Sequence, residues 1–177
     1  MRLIAVVLIA IICCLFALAE FSSAGTLESR YATIIYENDA LLREFNSSVR
    51  LGGLSYLVGK RSNLTVADEV RNKVDIIAER VQLVLEMYVK TLKFKVVLLP
   101  SAREVRRVYR SKYGKDADFI SFFAPGERAM YISVDDVNLR IFGHEVGHAV
   151  IDQYFRVSPS VKIHEMLAKY AETHLDD

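Results

Sequence analysis

The sequence contains no tryptophan, three prolines, eight glycines and only two cysteines, Cys13 and Cys14, which are adjacent and sit inside an apolar N-terminal run. No disulfide framework can therefore stabilise the rest of the chain, which must rely on its hydrophobic core and on any bound metal. Scarce proline and glycine, with no low-complexity segment and no internal repeat, exclude linker-like, collagenous and solenoid architectures. A dominant charge is lacking too. The 23 basic and 22 acidic residues leave a formal net charge of +1, so no global field points to nucleic acid or to an anionic membrane. The local cluster Arg103, Arg106, Arg107, Arg110 and Lys112 reads as a solvated helix face.

The N-terminus carries the first positive signal. Arg2 precedes an unbroken apolar run from Leu3 to Ala19, which ends on the small-residue pattern Ala17-Leu18-Ala19. This order matches a secretory signal peptide over 1–19, with Ser22-Ser23-Ala24 as a second processing site. The run is at the short limit for crossing a bilayer, so a membrane tether follows only if the segment stays uncleaved. Ile12 stands before Cys13, where a lipoprotein site needs a small residue. The expected location is secreted or periplasmic, with 25–177 forming a single domain large enough to bury a core. Asn46-Ser47-Ser48 and Asn63-Leu64-Thr65 match the glycosylation acceptor pattern, which matters only in a eukaryotic secretory pathway.

The pattern along the chain predicts an α+β fold. Arg30 to Tyr36 alternates and is rich in β-formers, and Asp39 to Val49 follows as a helix with Leu41, Leu42, Phe45 and Val49 inward. Thr65-x-x-Asp68 resembles a capping box and opens a long helix to about Tyr88, with Val70, Val74, Ile77, Val81, Val84 and Leu85 as its apolar stripe. Phe94 to Leu99 reads as a buried strand ended by Pro100. Ser101-x-x-Glu104 is a full capping box for a helix to about Tyr113, stopped by Gly114. Phe119 to Phe123 and Ala129 to Val134 flank Ala124-Pro125-Gly126-Glu127 as a hairpin. Asp135 and Asp136 are placed to start a helix running to about Gln153, and Ser158 with Pro159 to start the last one.

The penultimate helix holds Gly143-His144-Glu145-Val146-Gly147-His148. Histidines at i and i+4 lie one above the other on a helix, so both imidazoles can reach one ion. Glu145 is rotated about 100° from His144, beside the ligand stripe, where it can take a proton from water without occupying the metal. Leu139, Phe142, Val146, Ala149 and Val150 share the opposite face. Gly143 and Gly147 each cost about 1 kcal/mol of helix propensity, and two in one turn suggest close packing by a neighbour. A third ligand is expected from the last helix, where Glu165, Ala168 and Glu172 share one face and the small Ala168 would allow close approach. His164 points about 100° away from Glu165 and reads as a satisfied surface or interfacial histidine.

From about Phe119 to the C-terminus the chain resembles the gluzincins, especially small peptidase MA-like proteins. In those, a helix carrying E-x-x-A-x-Y follows the HExxH helix and supplies a glutamate to zinc. Here the pattern reads Glu165-Met166-Leu167-Ala168-Lys169-Tyr170. The resemblance implies a zincin-like fold, a zinc site of His144, His148 and Glu165, Glu145 as catalytic base, and a peptide or protein substrate. Glu172 is then the alternative ligand or a partner of a ligand histidine. The resemblance also implies that an extended substrate pairs with the strand Ala129 to Val134. The chain departs from thermolysin-like enzymes at Lys169, where those carry an acid that supports a ligand histidine, and in leaving no room for their large second subdomain. Tyr131, Tyr154, His164 and His174 are candidates for the oxyanion-stabilising group, while Tyr170 points away from the Glu165 face. The rival functions are a non-catalytic zinc-binding envelope scaffold and a regulatory protease of the HExGH repressor-cleaving type.

Overall fold

The computed structural model describes residues 24–61 and 64–176. The signal-peptide segment, both cysteines and Asn63 lie outside the described residues. Among those described, no helix is long and apolar enough to cross a membrane.

The architecture is mixed, and the described residues form five strands in one open sheet of order β1-β2-β3-β5-β4. The strands are β1 (Gly25–Glu28), β2 (Ala32–Tyr36), β3 (Phe94–Leu99), β4 (Ser121–Ala124) and β5 (Ala129–Ser133). The helices are α1 (Asp39–Ser48), α2 (Val66–Val84), α3 (Ala102–Tyr113), α4 (Leu139–Tyr154) and α5 (Val161–Thr173). β2, β3 and β5 run parallel in the middle, while β1 and β4 are antiparallel edges. β1 is absent from the expected elements: at four residues, Gly25 included, it is too short to show a period, and pairing with β2 defines it.

The strand pleat sorts side chains onto two layers. Val96, Leu98, Met130 and Ile132 face the main core, shared with Phe45 of α1, Val74 and Ile77 of α2, and Phe142 and Val146 of α4. Ala129, Tyr131, Phe122 and Ala124 face the other way, against Val105 of α3. β5 is buried along its whole length, as a strand covered on both faces must be.

Several predicted boundaries move. α2 ends at Val84 rather than near Tyr88, because Glu86 turns into the left-handed region (φ 53°) and the Met87 N–H bonds back to the Gln82 carbonyl. Thr65 caps α2 as expected, accepting from the Asp68 N–H at 3.1 Å. Ser101 sits at the N-cap of α3 without a side-chain cap bond: the Glu104 N–H goes to the Ser101 backbone carbonyl, and the Glu104 carboxylate pairs with Arg103 and Arg107. α4 is started not by Asp135 and Asp136 but by Asn138, whose Oδ1 accepts from Arg140 and Ile141 N–H groups at 2.9 and 3.1 Å. Asp136 instead accepts from the Ser133 hydroxyl at 2.6 Å. α5 starts at Val161 behind Ser160, two residues later than Ser158 and Pro159 suggested. The segment Gly52–Lys60, which the sequence leaves undefined, winds as a 3-10 helix.

Candidate metal centre

α4 lies with its apolar face in the core and its histidine face toward a cleft of about 610 Å³ between α3, β4 and α5. Leu139, Phe142, Val146, Ala149 and Val150 are all buried, as the helical spacing requires. α5 packs directly across α4. Gly147 makes this possible: a Cβ placed there would stand 3.2 Å from the Ala168 Cα and 3.5 Å from its Cβ. Gly143 likewise accommodates Leu175, whose Cδ2 would lie 3.0 Å from an added Cβ. The two glycines and Ala168 therefore have the packing role their positions suggested.

This close crossing brings three donors together. The Nε2 atoms of His144 and His148 are 3.1 Å apart. Glu165 sets one carboxylate oxygen 3.6 Å from each of them, Oε2 toward His144 and Oε1 toward His148. His144, His148 and Glu165 form a group that could hold a metal ion. Glu172, two turns along the same helix face, reaches the other ring nitrogen of His144: its Oε2 is 3.1 Å from Nδ1, although the alignment falls short of a hydrogen bond. Glu172 thus stands behind His144 and Glu165 in front of it. Glu172 Oε1 also accepts from Lys169 at 2.5 Å, so the residue at the point of departure holds the carboxylate beside His144.

His164 is the partnered interfacial histidine its position suggested, half-buried between α5 and α4. Its Nδ1 lies 2.8 Å from Nδ1 of His148, and the two rings are stacked at 4.9 Å. Burial, then the neighbouring charge of His144 and of His164, pushes the His148 pKa down to about 3, which keeps the ring neutral with a lone pair for a metal. Burial also lowers the His164 pKa, against the opposing pull of Asp152 and Glu165.

Glu145 is only 4% exposed. Its Oε1 accepts a hydrogen bond from the Ser121 hydroxyl of β4 at 2.6 Å, while Oε2 is buried with no hydrogen-bond partner. Burial raises its pKa to about 7, with the Ser121 bond opposing and the Glu165 charge adding to the rise. A carboxyl poised near neutrality beside a group that could hold a metal can both accept and release a proton.

The other candidates separate clearly. Of Tyr131, Tyr154, His164 and His174, only His164 lines the cleft. Tyr131 is on the opposite sheet face, bonded to Glu127, Tyr154 is exposed at the end of α4, and His174 stacks on the exposed Tyr170. Sequence reading missed Ser121, Tyr109 and Tyr113. Their chemistry is ordinary, and only the docking of β4 and α3 brings them to the cleft. The basic cluster on α3 is largely matched by carboxylates, Arg106 by Asp118, Arg110 by Asp116 and Lys112 by Glu127, as a solvated face should be.

The expected substrate strand is also corrected. β5 is hydrogen-bonded on both sides, to β3 and to β4, and cannot accept another strand. The free edge beside the cleft belongs to β4. Comparison of the chain with protein-family models, with curated proteins and with solved structures found no match.

Proposed function

We propose that this chain is an exported zinc-dependent peptidase of gluzincin type, with His144, His148 and Glu165 as ligands and Glu145 as base. The observation that carries the reading is the convergence of two Nε2 atoms and one carboxylate beside a buried glutamate, at the floor of an open cleft. The donor set suits zinc. Arms of about 2.0–2.1 Å in a tetrahedron put neighbouring donors about 3.3 Å apart, and here the separations are 3.1 and 3.6 Å. Zinc in such a site supplies Lewis-acid chemistry, drawing electron density from water and from a carbonyl oxygen.

The chain's own residues do the rest. Glu145 takes the proton of the attacking water and returns it to the departing amine nitrogen. Of the sequence's candidates for the oxyanion-stabilising group His164 alone lines the cleft, and its Nε2 is the ring nitrogen left to donate once Nδ1 meets His148. The open edge of β4 offers backbone groups to an extended peptide, which would lie across the cleft by strand addition. Aromatic side chains line the cleft on both sides of β4, Tyr109 and Tyr113 from α3 on one and Phe123 of β4 on the other, with Phe119 just before the strand, and suit a bulky apolar side chain.

The test is metal analysis of the purified protein together with hydrolysis of a broad peptide library before and after chelation. Stoichiometric zinc with chelator-sensitive cleavage is expected. Zinc without cleavage of any peptide would favour the scaffold reading.

A further inference from the structure

The pleat of β4 directs Phe122 and Ala124 to the α3 side, and so sends Ser121 and Phe123 to the α4 side. Phe123 lies parallel to the His148 ring, with centroids 6.5 Å apart, and Ser121 meets Glu145. The edge strand that would receive a peptide therefore also touches the base.

Resting on the peptidase reading, we infer that Ser121 is a positioning residue for Glu145: its hydroxyl pins Oε1, leaving Oε2 as the atom that handles the proton. The chemistry at the two oxygens differs. An ionised carboxylate only accepts, so the Ser121 O–H donates to Oε1 and holds the plane of the carboxyl group. Among the described residues Oε2 is buried with no hydrogen-bond partner, an unsatisfied acceptor that an entering water would complete. In the step, an O–H bond of the attacking water breaks as its oxygen bonds to the carbonyl carbon, and the proton goes to Oε2. When the C–N bond breaks, Oε2 gives that proton to the amine nitrogen. A carboxyl group free to rotate would spend part of its time with neither oxygen aimed at the reacting water.

The test uses the full-length, zinc-loaded protein as Ser121→Ala and Ser121→Thr, with kinetics on a cleaved peptide and crystal structures of the metal-free variants. Ser121→Ala should lower kcat by about tenfold or more, the loss of a hydrogen bond to a charged group, with KM and zinc content within about twofold. Ser121→Thr keeps the hydroxyl on a strand position and should recover most of the rate. In Ser121→Ala crystals the Glu145 carboxylate should leave its wild-type plane. A Thr variant as slow as Ala, or a carboxylate unmoved in Ser121→Ala, overturns the assignment. If the wild-type protein cleaves nothing, the peptidase reading falls by itself, and the carboxylate position still decides the role of Ser121.

Discussion

His148 and His164 face one another through their Nδ1 atoms at 2.8 Å, so one ring donates and the other accepts. If the Nε2 lone pair of His148 is to serve a metal, its proton must be on Nδ1, and His164 is then the acceptor that fixes the tautomer. His164→Phe keeps an aromatic ring stacked on His148 and removes the acceptor. Zinc affinity should fall roughly 10- to 100-fold, the usual cost of losing an outer partner of a metal ligand. Competition with a chelator measures this, and wild-type affinity in the variant would reject the role.

Glu165 and Glu172 should part company on mutation. Glu165 faces both Nε2 atoms, whereas Glu172 approaches only the far nitrogen of His144. Glu165→Ala should lose stoichiometric zinc. Glu172→Ala should retain most of the metal at saturating concentration, with weaker affinity. Zinc lost from Glu172→Ala alone would transfer the ligand role to that residue.

Glu145 ties the metal-free fold to pH. In the folded chain its pKa is raised to about 7 from an ordinary 4.5. Below pH 4.5 both folded and unfolded chains hold the proton, and nothing is lost. Between 4.5 and 7 the unfolded chain releases it while the folded chain keeps it, so this group's contribution to stability falls as pH rises, then levels off above 7. The total is on the order of 3 kcal/mol. Glu145→Gln removes this dependence, so the metal-free variant should be more stable than wild type at pH 8 and similar at pH 4.5. Denaturant melts at the two pH values test it. With zinc restored, the same variant should keep its metal and lose at least about 100-fold in hydrolysis, the contribution of a general base.

The legible parts of this molecule were the local ones. His144, Glu145 and His148 follow from helical spacing alone, and α1, α2, β3 and α3 follow from apolar period and end signals. Most of what escaped depends on contacts between distant segments. β1 exists through its partner β2, and β5 became an inner strand once β4 paired outside it; the start of α4 is a local miss, with Asn138 rather than the two aspartates supplying the cap. The Ser121–Glu145 bond spans 24 residues, and nothing in the immediate sequence of a strand serine marks it. Nor can one sequence tell whether α5 approaches α4 closely enough to bring Glu165 to the two histidines. That depends on interhelical distance.

That distance suggests the last prediction. A methyl group at position 147 would meet the Ala168 Cα at 3.2 Å, with the Cβ atoms of Ala168 and Ala171 at 3.5 and 3.6 Å. Backbone cannot rotate out of the way, so in Gly147→Ala α5 must shift by a few tenths of an ångström and carry Glu165 with it. The fold itself should suffer little: alanine gains about 1 kcal/mol of helix propensity, against about 1–3 kcal/mol for overpacking. Metal geometry is less forgiving, because ligand distances tolerate only about 0.2 Å, and zinc affinity should drop about tenfold or more. Gly143→Ala is the control. There the added methyl meets side-chain atoms rather than backbone, Leu175 Cδ2 at 3.0 Å and Cδ1 at 3.2 Å, which can yield by a few tenths of an ångström without moving α5. Its zinc affinity should stay near wild type. Equal affinities for Gly147→Ala and wild type, measured by chelator competition alongside thermal melts, would mean that the spacing of α4 and α5 does not set the metal centre.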